Sequence, residues 1–211
     1  MPVRVIIAML IFVFALAAAA CEKPGPCPKE MAPIDGLKVC IDKWESSSAR
    51  NSKGVLAPAV SKPGVIPTDS VAWVEADASC RAAKKRLCTA DEWVTACRGT
   101  EGRQFPYGKN FEPERCNTLQ VGRKTGKTEK RPTGSLAGCD NGRGVMDLSG
   151  NVWEWTATPD QTGQLRQLWG GGFANDNDEN ELSCGFRKPL FQPPTQNHSG
   201  IGYRCCKDAR R

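Results

Sequence analysis

Helical spacing of hydrophobic residues is clearest between residues 68 and 99 of the chain. Within 68–86, apolar residues recur every three or four positions, which places them on one face of a helix. They are Trp73, Ala76, Cys80 and Ala83. Residues that favour an N-cap precede them (Thr68, Asp69 and Ser70), and basic residues that suit the negative end of the helix dipole follow them (Lys84, Lys85 and Arg86). The pattern predicts a helix over 68–86.

A second helix is predicted directly after the first. Thr89 and Glu92 have the spacing of a capping box, in which each side chain binds the backbone amide of the other residue. The large apolar residues Trp93 and Cys97 then share one face with Ala96, and Gly99 ends the pattern.

The remaining sequence is typical of short strands joined by turns. Its 21 glycines and 15 prolines separate short apolar segments, and no internal repeat is visible. The segments with strand character are "QFPYGKNF", "GVMDLSGNVWEWT", "LWGGGFA" and "GIGYRCC". A chain of 211 residues suits one domain better than two, so we expect a single loop-rich α+β domain with two adjacent helices.

The first twenty residues differ in kind from the rest. Arg4 is their only charge, and the apolar run that follows it ends in alanines. This pattern predicts a secretory signal peptide over 1–20. An uncleaved membrane anchor is the alternative, although the run is shorter than the roughly 20 residues that span a bilayer.

Cys21 follows these small residues, as the acylated cysteine does in a bacterial lipoprotein. The position three residues before it is Ala18, where such sites usually have leucine. The polar segment after Cys21 is typical of a short tether, which we assign to 21–30. We therefore predict a lipoprotein that crosses the inner membrane and is held at a membrane by lipid on Cys21, facing the periplasm or the cell surface. A plainly secreted protein is the alternative.

The cysteine count supports this interpretation. Eleven cysteines leave one unpaired in an oxidising compartment, and setting Cys21 aside leaves 11 − 1 = 10, enough for five disulfides. A zinc site is the alternative, but no two cysteines have C-x-x-C spacing and His198 is the sole histidine. Of the many pairings that ten cysteines allow, we predict only Cys27 with Cys40, because the segment between them can form a hairpin.

The formal charge of +6 is mild. Many basic residues lie in the segment 122–131, "GRKTGKTEKR", without interleaved aromatic residues. This arrangement favours a solvated loop over a nucleic-acid surface, so we expect no nucleic-acid partner.

Five motifs in order resemble the formylglycine-generating enzyme family, also called the sulfatase-modifying factor family. They are "KRLCTADEWVTACRG", "FPYGKNFEPERCNT", "GVMDLSGNVWEWT", "LWGGGFA" and "GIGYRCC", and the upstream "VCIDKWESS" is similar to the opening strand of that family. The resemblance implies an elaborated C-type-lectin-like fold with long loops, which we assign to 31–207.

The resemblance also implies a structural calcium ion. In the family, the Asn and Glu of the Gly-Asn-x-x-Glu segment help to bind it, and Asn151 and Glu154 match those positions. In an extended segment Glu154 would lie on the face opposite Trp153 and Trp155. The alternative is that Asn151 only suits a turn and Glu154 pairs with an arginine at the surface. A second calcium site would need a carboxylate after Asn117, where this chain has lysine and arginine.

The chain departs from the family where the oxidase chemistry resides. Members that oxidise a protein cysteine use two close cysteines after an "RGGSF" segment to bind copper(I). Here Trp169 replaces the arginine, Gly172 replaces the serine, and Ala174 or Asn175 stands where the first cysteine is expected. Cys184 follows alone. An alternative copper pair would join Cys184 to Cys205 or Cys206, but an ordinary disulfide between Cys184 and one of them is the better interpretation.

Two functions from different classes remain. The first is a non-catalytic binding or scaffold module at the envelope, whose partner is an envelope protein or another surface component. The second is a copper-dependent oxidase that uses Cys184 with Cys205 or Cys206. The acidic segment "NDNDEN" (175–180) lacks the glycine and glutamate of an EF-hand loop, and the single His198 cannot build a non-haem iron centre.

Overall fold

The computed structural model describes residues 26–175, 180–185 and 190–210. The predicted signal peptide, Cys21 and most of the acidic segment lie outside these ranges. Within them the chain forms three helices and eight short strands. In chain order they are β1 (Met31–Pro33), β2 (Val39–Asp42), α1 (Trp73–Ala82), β3 (Arg86–Leu87), α2 (Ala90–Arg98), α3 (Leu119–Thr125), β4 (Trp153–Pro159), β5 (Arg166–Trp169), β6 (Leu190–Gln192), β7 (Ile201–Tyr203) and β8 (Cys205–Asp208).

The strands form two four-stranded sheets. The first has the order β1-β2-β8-β3 and is antiparallel throughout. The second has the order β6-β5-β4-β7, in which β4 pairs with β7 in parallel and with β5 antiparallel. Strands β7 and β8 are separated by Arg204 alone, so this residue lies at the junction of the two sheets.

Each of the two longer helices packs on its own group of buried side chains. Ala76 and Cys80 of α1 join a cluster with Trp155 and Tyr203, whereas Trp93 and Cys97 of α2 join a second cluster. The predicted apolar faces of both helices are therefore confirmed. No helix in the described ranges is long and apolar enough to cross a membrane.

Helix α1 is shorter than predicted at its start, because the three expected capping residues are engaged elsewhere. Asp69 accepts a hydrogen bond from the Gly200 amide at 2.9 Å, Thr68 donates to the Ser48 carbonyl at 2.7 Å, and Ser70 has a left-handed φ of 55°. The N-cap is Ala72, whose amide donates to the Glu75 carboxylate at 2.9 Å.

The predicted end of α1 is also wrong. The helix stops at Ala82, and Lys84 turns the chain with a φ of 57°. Lys85 then pairs with the buried carboxylate of Asp42 at 2.6 Å, and Arg86 begins β3. The start and end of α2 agree with the prediction: Thr89 and Glu92 form the capping box, and Gly99 has a φ of 59°.

Helix α3 was not predicted. Its seven residues include the first part of "GRKTGKTEKR", which the sequence favoured as a solvated loop. Val121 is its buried large apolar side chain, which is too little to produce a periodic pattern. Residues 123–129 are exposed, so the solvated character was assigned correctly while the helix was missed.

Five disulfides join all ten cysteines of the described chain, as their number predicted. Cys27–Cys40 closes the β1–β2 hairpin and confirms the one pairing that was predicted. Cys80–Cys205 and Cys88–Cys206 attach β8 to α1 and to the segment before α2. The remaining two are Cys97–Cys184 and Cys116–Cys139.

Candidate functional site

The Gly-Asn turn of "DLSGNVWEWT" requires both of its residues. Gly150 has a φ of 80°, and a Cβ at this position would lie 2.3 Å from the Asn117 carbonyl oxygen. Asn151 follows with a φ of 57°, a conformation that asparagine tolerates better than most residues. The turn therefore fixes the direction in which β4 leaves the segment around Asn117.

Both faces of β4 are buried, whereas the alternative to calcium placed Glu154 at the surface. Trp155 is packed in the α1 cluster, and its indole donates to the Val71 carbonyl at 2.7 Å. Glu154 points to the other face, as alternation requires, but it is only 1% exposed and does not face a surface loop. The carboxylate needs partners inside the protein because an isolated buried charge is costly.

Arg204 supplies the counter-charge for Glu154. Its Nε donates to Glu154 Oε2 at 2.7 Å and its Nη2 donates to Oε1 at 2.6 Å, a two-bond fork between fully buried groups. The indole of Trp93 also donates to Oε2, at 2.7 Å. The remaining guanidinium hydrogens reach the carbonyls of Asp42 and Met146. The alternative to calcium, in which Glu154 pairs with an arginine, is therefore correct about the partner and wrong about its place, because this ion pair lies in the core.

A second buried carboxylate holds the Gly-Asn turn. Glu45 accepts from Asn151 Nδ2 at 2.6 Å and from the Val152 amide at 3.1 Å. The side-chain oxygen of Asn151 accepts from Asn117 Nδ2 and from the Arg131 amide, both at 2.9 Å. Asn151 and Asn117 therefore hold the loops together through hydrogen bonds.

Three buried carboxylates thus surround one buried guanidinium. Burial and the nearby charges of Asp147 and Glu154 raise the pKa of Glu45 well above its usual value. Burial also raises the pKa of Asp147 to about 6, although its hydrogen bond from Gly134 and the charge of Arg204 act in the opposite direction. With one arginine for three carboxyl groups, the cluster is short of positive charge.

This charge imbalance makes stability depend on pH. Between pH ~4 and ~6 the unfolded chain loses the Asp147 proton while the folded protein keeps it, because the pKa is 3.8 unfolded and about 6 folded. The free energy of unfolding should therefore fall as pH rises through this window. Asp147→Asn keeps an acceptor for Gly134 and suits the φ of 60°. We expect it to stabilise the protein at pH 7.5 by on the order of 2 kcal/mol relative to wild type, and by much less at pH 4.

Thermal melting of both proteins from pH 4 to 8 measures this effect. Glu101→Gln, at an exposed carboxyl, is the control and should parallel wild type at every pH. An Asp147→Asn variant whose melting temperature differs from wild type by the same amount at pH 4 and pH 7.5 would contradict the assignment.

Asn151 and Glu154, as they are placed, do not fit the coordination of calcium. Calcium needs about 6 to 8 oxygen ligands. The side-chain oxygen of Asn151 and both oxygens of Glu154 already accept hydrogen bonds within the protein, and Glu154 accepts two of them from the guanidinium of Arg204. Among the described residues no group of three or more acidic, cysteine or histidine side chains is placed to hold a metal. Calcium stays a prediction. Thermal unfolding with and without a calcium chelator tests this prediction. The chelator should lower the melting temperature if a bound calcium ion stabilises the protein.

The glycine-rich segment after β5 lies against the Gly-Asn turn. The Gly150 amide donates to the Gly170 carbonyl at 2.7 Å, and the Phe173 amide donates to the Asn151 carbonyl at 2.9 Å. Gly170 and Gly171 both have positive φ, and a Cβ on Gly171 would lie 2.7 Å from Leu182. Trp169, which stands where the family has arginine, stacks on Trp93 with ring centroids 5.6 Å apart. An apolar pair of rings therefore occupies this position.

Cys184 is fully buried and bonded to Cys97 of α2. The predicted disulfide between Cys184 and Cys205 or Cys206 is therefore wrong, because those two cysteines pair with Cys80 and Cys88. The alternative copper pair required Cys184 to meet one of the same two cysteines as a free thiol. In the structure each of the three is bonded to another cysteine instead, so none of them is a free thiol.

Sequence reasoning missed the residues that complete the buried cluster, namely Glu45, Asp147 and Arg204. A signal for Arg204 was present, since "GIGYRCC" places a single arginine inside an otherwise apolar run. Such a residue is buried only when it is paired, so a buried carboxylate partner was to be expected. Glu45 lies in "VCIDKWESS", which resembles the opening strand of the family, but the residues around it do not indicate that its carboxylate is buried.

Several known proteins are similar to this chain in sequence. Inactive C-alpha-formylglycine-generating enzyme 2 of Mus musculus is 32% identical over 157 residues, covering 69% of this chain and 50% of that protein. Formylglycine-generating enzyme of Streptomyces coelicolor is 32% identical over 171 residues, covering 68% of this chain and 53% of that protein. The chain therefore spans about half the length of these curated relatives.

Solved structures share the fold at low sequence identity. CarF superposes with a TM-score of 0.62 at 17% identity, covering 88% of this chain and 95% of that chain. Major Tropism Determinant P3c Variant has a TM-score of 0.56 at 18% identity, covering 88% of this chain and 54% of that chain. A family profile described as Sulfatase-modifying factor enzyme 1-like domain matches residues 28–209. The chain therefore belongs to the formylglycine-generating enzyme and sulfatase-modifying factor family.

Proposed function

We propose that the protein is an envelope lipoprotein whose domain is a non-catalytic binding or scaffold module. Lipid on Cys21 holds it at a membrane after export, on the periplasmic side or at the cell surface. Its partner is an envelope protein or another surface component. The disulfide content of the domain suits such an oxidising compartment.

The state of Cys184 carries this proposal. A copper(I) site of the kind that the resemblance implies needs two thiolates, because soft sulfur ligands are what that ion prefers. Cys184 is the cysteine nearest in sequence to the glycine-rich segment, and it is bonded to Cys97 in a buried position. The aromatic pair of Trp169 and Trp93 fills the neighbouring space with apolar rings.

Two comparisons support a non-catalytic role. A family member 32% identical to this chain is named an inactive enzyme, so the family includes members without the activity. A solved structure with the same fold is named Major Tropism Determinant P3c Variant, so the fold is not confined to proteins that are named as enzymes. Rigid disulfide-linked cores with long loops suit recognition, since the core fixes the loops that carry the contacts.

An oxidase assay tests the non-catalytic part. We expect purified protein supplied with copper(I), oxygen and a cysteine-containing peptide to form no formylglycine above a no-protein blank. The Streptomyces coelicolor formylglycine-generating enzyme, assayed in parallel, is the positive control. Turnover by wild type that Cys184→Ser abolishes would support the copper-dependent alternative instead.

Changing Cys21 to serine tests the anchor. We expect wild type in the membrane fraction, resistant to extraction with high salt, and Cys21→Ser in the soluble fraction, since the variant has no thiol to acylate. Radiolabelled palmitate incorporation should be lost in parallel. Retention of the Cys21→Ser protein in salt-washed membranes would argue for the uncleaved anchor.

A further inference from the structure

Both ends of the described chain meet where the inner strands β2 and β8 of the first sheet end, at one edge of the domain. The Arg210 amide donates to the Pro26 carbonyl at 3.0 Å, and the Ala209 amide donates to the Lys38 carbonyl at 3.0 Å. The Cys27–Cys40 disulfide fixes the same region to β2. The point where the domain begins is therefore firmly attached to β2 and β8.

The distance from this point to Cys21 is short. Pro26 is five positions after Cys21, and a fully extended chain of five residue steps spans at most about 18 Å. A lipid on Cys21 would keep this edge of the domain close to the headgroups, whichever way the domain turns.

The same edge presents unneutralised positive charge. Lys207 lies opposite Cys40 in the β2–β8 pair, so its side chain shares a face with the Cys27–Cys40 disulfide. Lys84 lines the same shallow depression as Lys207. We call the group Lys38, Lys84, Lys207 and Arg210 the tether surface. Within the described ranges none of the four has a salt bridge.

The acidic residues near these four cations share their basic partners with other carboxylates. Asp208 pairs with Arg86 at 3.1 Å, and Glu30 lies 3.6 Å from Lys85. Arg86 also pairs with Glu92, and Lys85 also pairs with Asp42. Four cations that have no salt bridge in the described ranges therefore face two partly neutralised acids. The neighbouring turn also exposes an apolar side chain, Leu37, which is 42% exposed and adjoins Lys38. Positive charges around an exposed leucine are suited to a surface that is negative outside and apolar beneath.

We infer that the tether surface binds the anionic phospholipid headgroups of the membrane to which Cys21 is attached. The inference rests on the proposed lipoprotein role, because the short tether is what presents this edge to the bilayer. Phosphate groups of the lipid accept hydrogen bonds from the lysine and arginine side chains. The domain would therefore lie against the membrane with a fixed face towards it, leaving the opposite loops available to a partner.

Vesicle binding by unlipidated protein tests this surface. The full mature chain with Cys21→Ser is mixed with vesicles of phosphatidylcholine alone or with 30% phosphatidylglycerol, and bound protein is measured by flotation. We expect binding to the anionic vesicles at low salt and loss of binding in about 0.5 M salt. Lys38→Gln, Lys207→Gln and Arg210→Gln together should weaken binding at least tenfold.

A charge-matched variant separates this surface from net charge. Lys53→Gln, Lys109→Gln and Lys127→Gln remove the same three charges from exposed loops outside the sheet, and should weaken binding less than threefold. Equal weakening by both triple variants, or equal binding to neutral and anionic vesicles, would overturn the inference. The Cys21→Ser fractionation reports on the anchor independently. If the wild-type protein is anchored by lipid but its unlipidated form does not bind anionic vesicles, the proposed function stands and this inference is refuted.

Discussion

Replacing Arg204 with methionine should destabilise the folded protein by about 3–5 kcal/mol at pH 7.5, one of the two largest effects that we expect of any change. The variant leaves Glu154 buried without its cation, beside Glu45 and Asp147. It also removes the donors to the Asp42 and Met146 carbonyls. Chemical denaturation at several pH values measures the loss, which should shrink towards pH 4 as Glu45 and Asp147, whose pKa values are raised, take up protons.

The partner variant distinguishes the ion pair from simple packing. Glu154→Gln should lower the free energy of unfolding less than Arg204→Met does. In Glu154→Gln the guanidinium of Arg204 still has two carboxylates nearby, whereas in Arg204→Met no other arginine is paired with Glu154. Arg204→Lys should lie between wild type and Arg204→Met, since lysine carries the charge but cannot make the two-bond fork. Equal losses for Glu154→Gln and Arg204→Met at every pH would show that packing, not charge, explains the effect.

Removing both disulfides of β8 should prevent stable folding. Cys80–Cys205 and Cys88–Cys206 each close a loop of more than a hundred residues, which corresponds to about 5 kcal/mol for the first bridge in a chain-entropy account. The two bridges are interlaced along the chain, with their first cysteines 88 − 80 = 8 positions apart and their second cysteines adjacent. Once one is closed, the other closes only a ring of about ten residues, corresponding to about 3 kcal/mol.

Because the interlaced bridges close overlapping loops, the variants should be non-additive. Cys80→Ala with Cys205→Ala should lower stability by about 3 kcal/mol and leave a folded protein, and the same holds for the Cys88 and Cys206 pair. All four substitutions together should cost about 8 kcal/mol, which is comparable to the whole stability of a typical domain. Circular dichroism and urea unfolding measure this series. A folded quadruple variant whose loss equals that of a single pair would contradict the chain-entropy argument.

The parts of the fold that could be predicted were those specified by local chemistry. The Thr89 capping box, the stripe on α1 and the Gly-Asn turn depend on residues a few positions apart, and the structure has all three. The hairpin that brings Cys27 to Cys40 is also local. Each of these features could be predicted without knowing how the rest of the chain packs.

The parts that could not be predicted depend on distant residues. Helix α1 begins late because Asp69 binds the Gly200 amide, 131 positions away. Cys184 pairs with Cys97 of α2, 87 positions away. The sequence offered Cys205 and Cys206 as equally good partners, and spacing alone cannot choose among pairings.

The candidate site illustrates the same division. The resemblance identified Asn151 and Glu154 as residues of consequence, and both are buried at the centre of hydrogen-bond networks. Their partners Glu45 and Arg204 come from opposite ends of the domain, 106 and 50 positions away respectively. Motif positions can therefore indicate that a residue matters without indicating what it binds.

The central claim is that the sulfur of this domain serves crosslinks and leaves no thiol pair for copper. Mass mapping of the non-reduced protein, alkylated before digestion, tests it most directly. We predict five peptide pairs: Cys27–Cys40, Cys80–Cys205, Cys88–Cys206, Cys97–Cys184 and Cys116–Cys139. Alkylation of Cys184 together with a second cysteine in the natively folded protein, blocked by prior addition of copper(I), would contradict the claim.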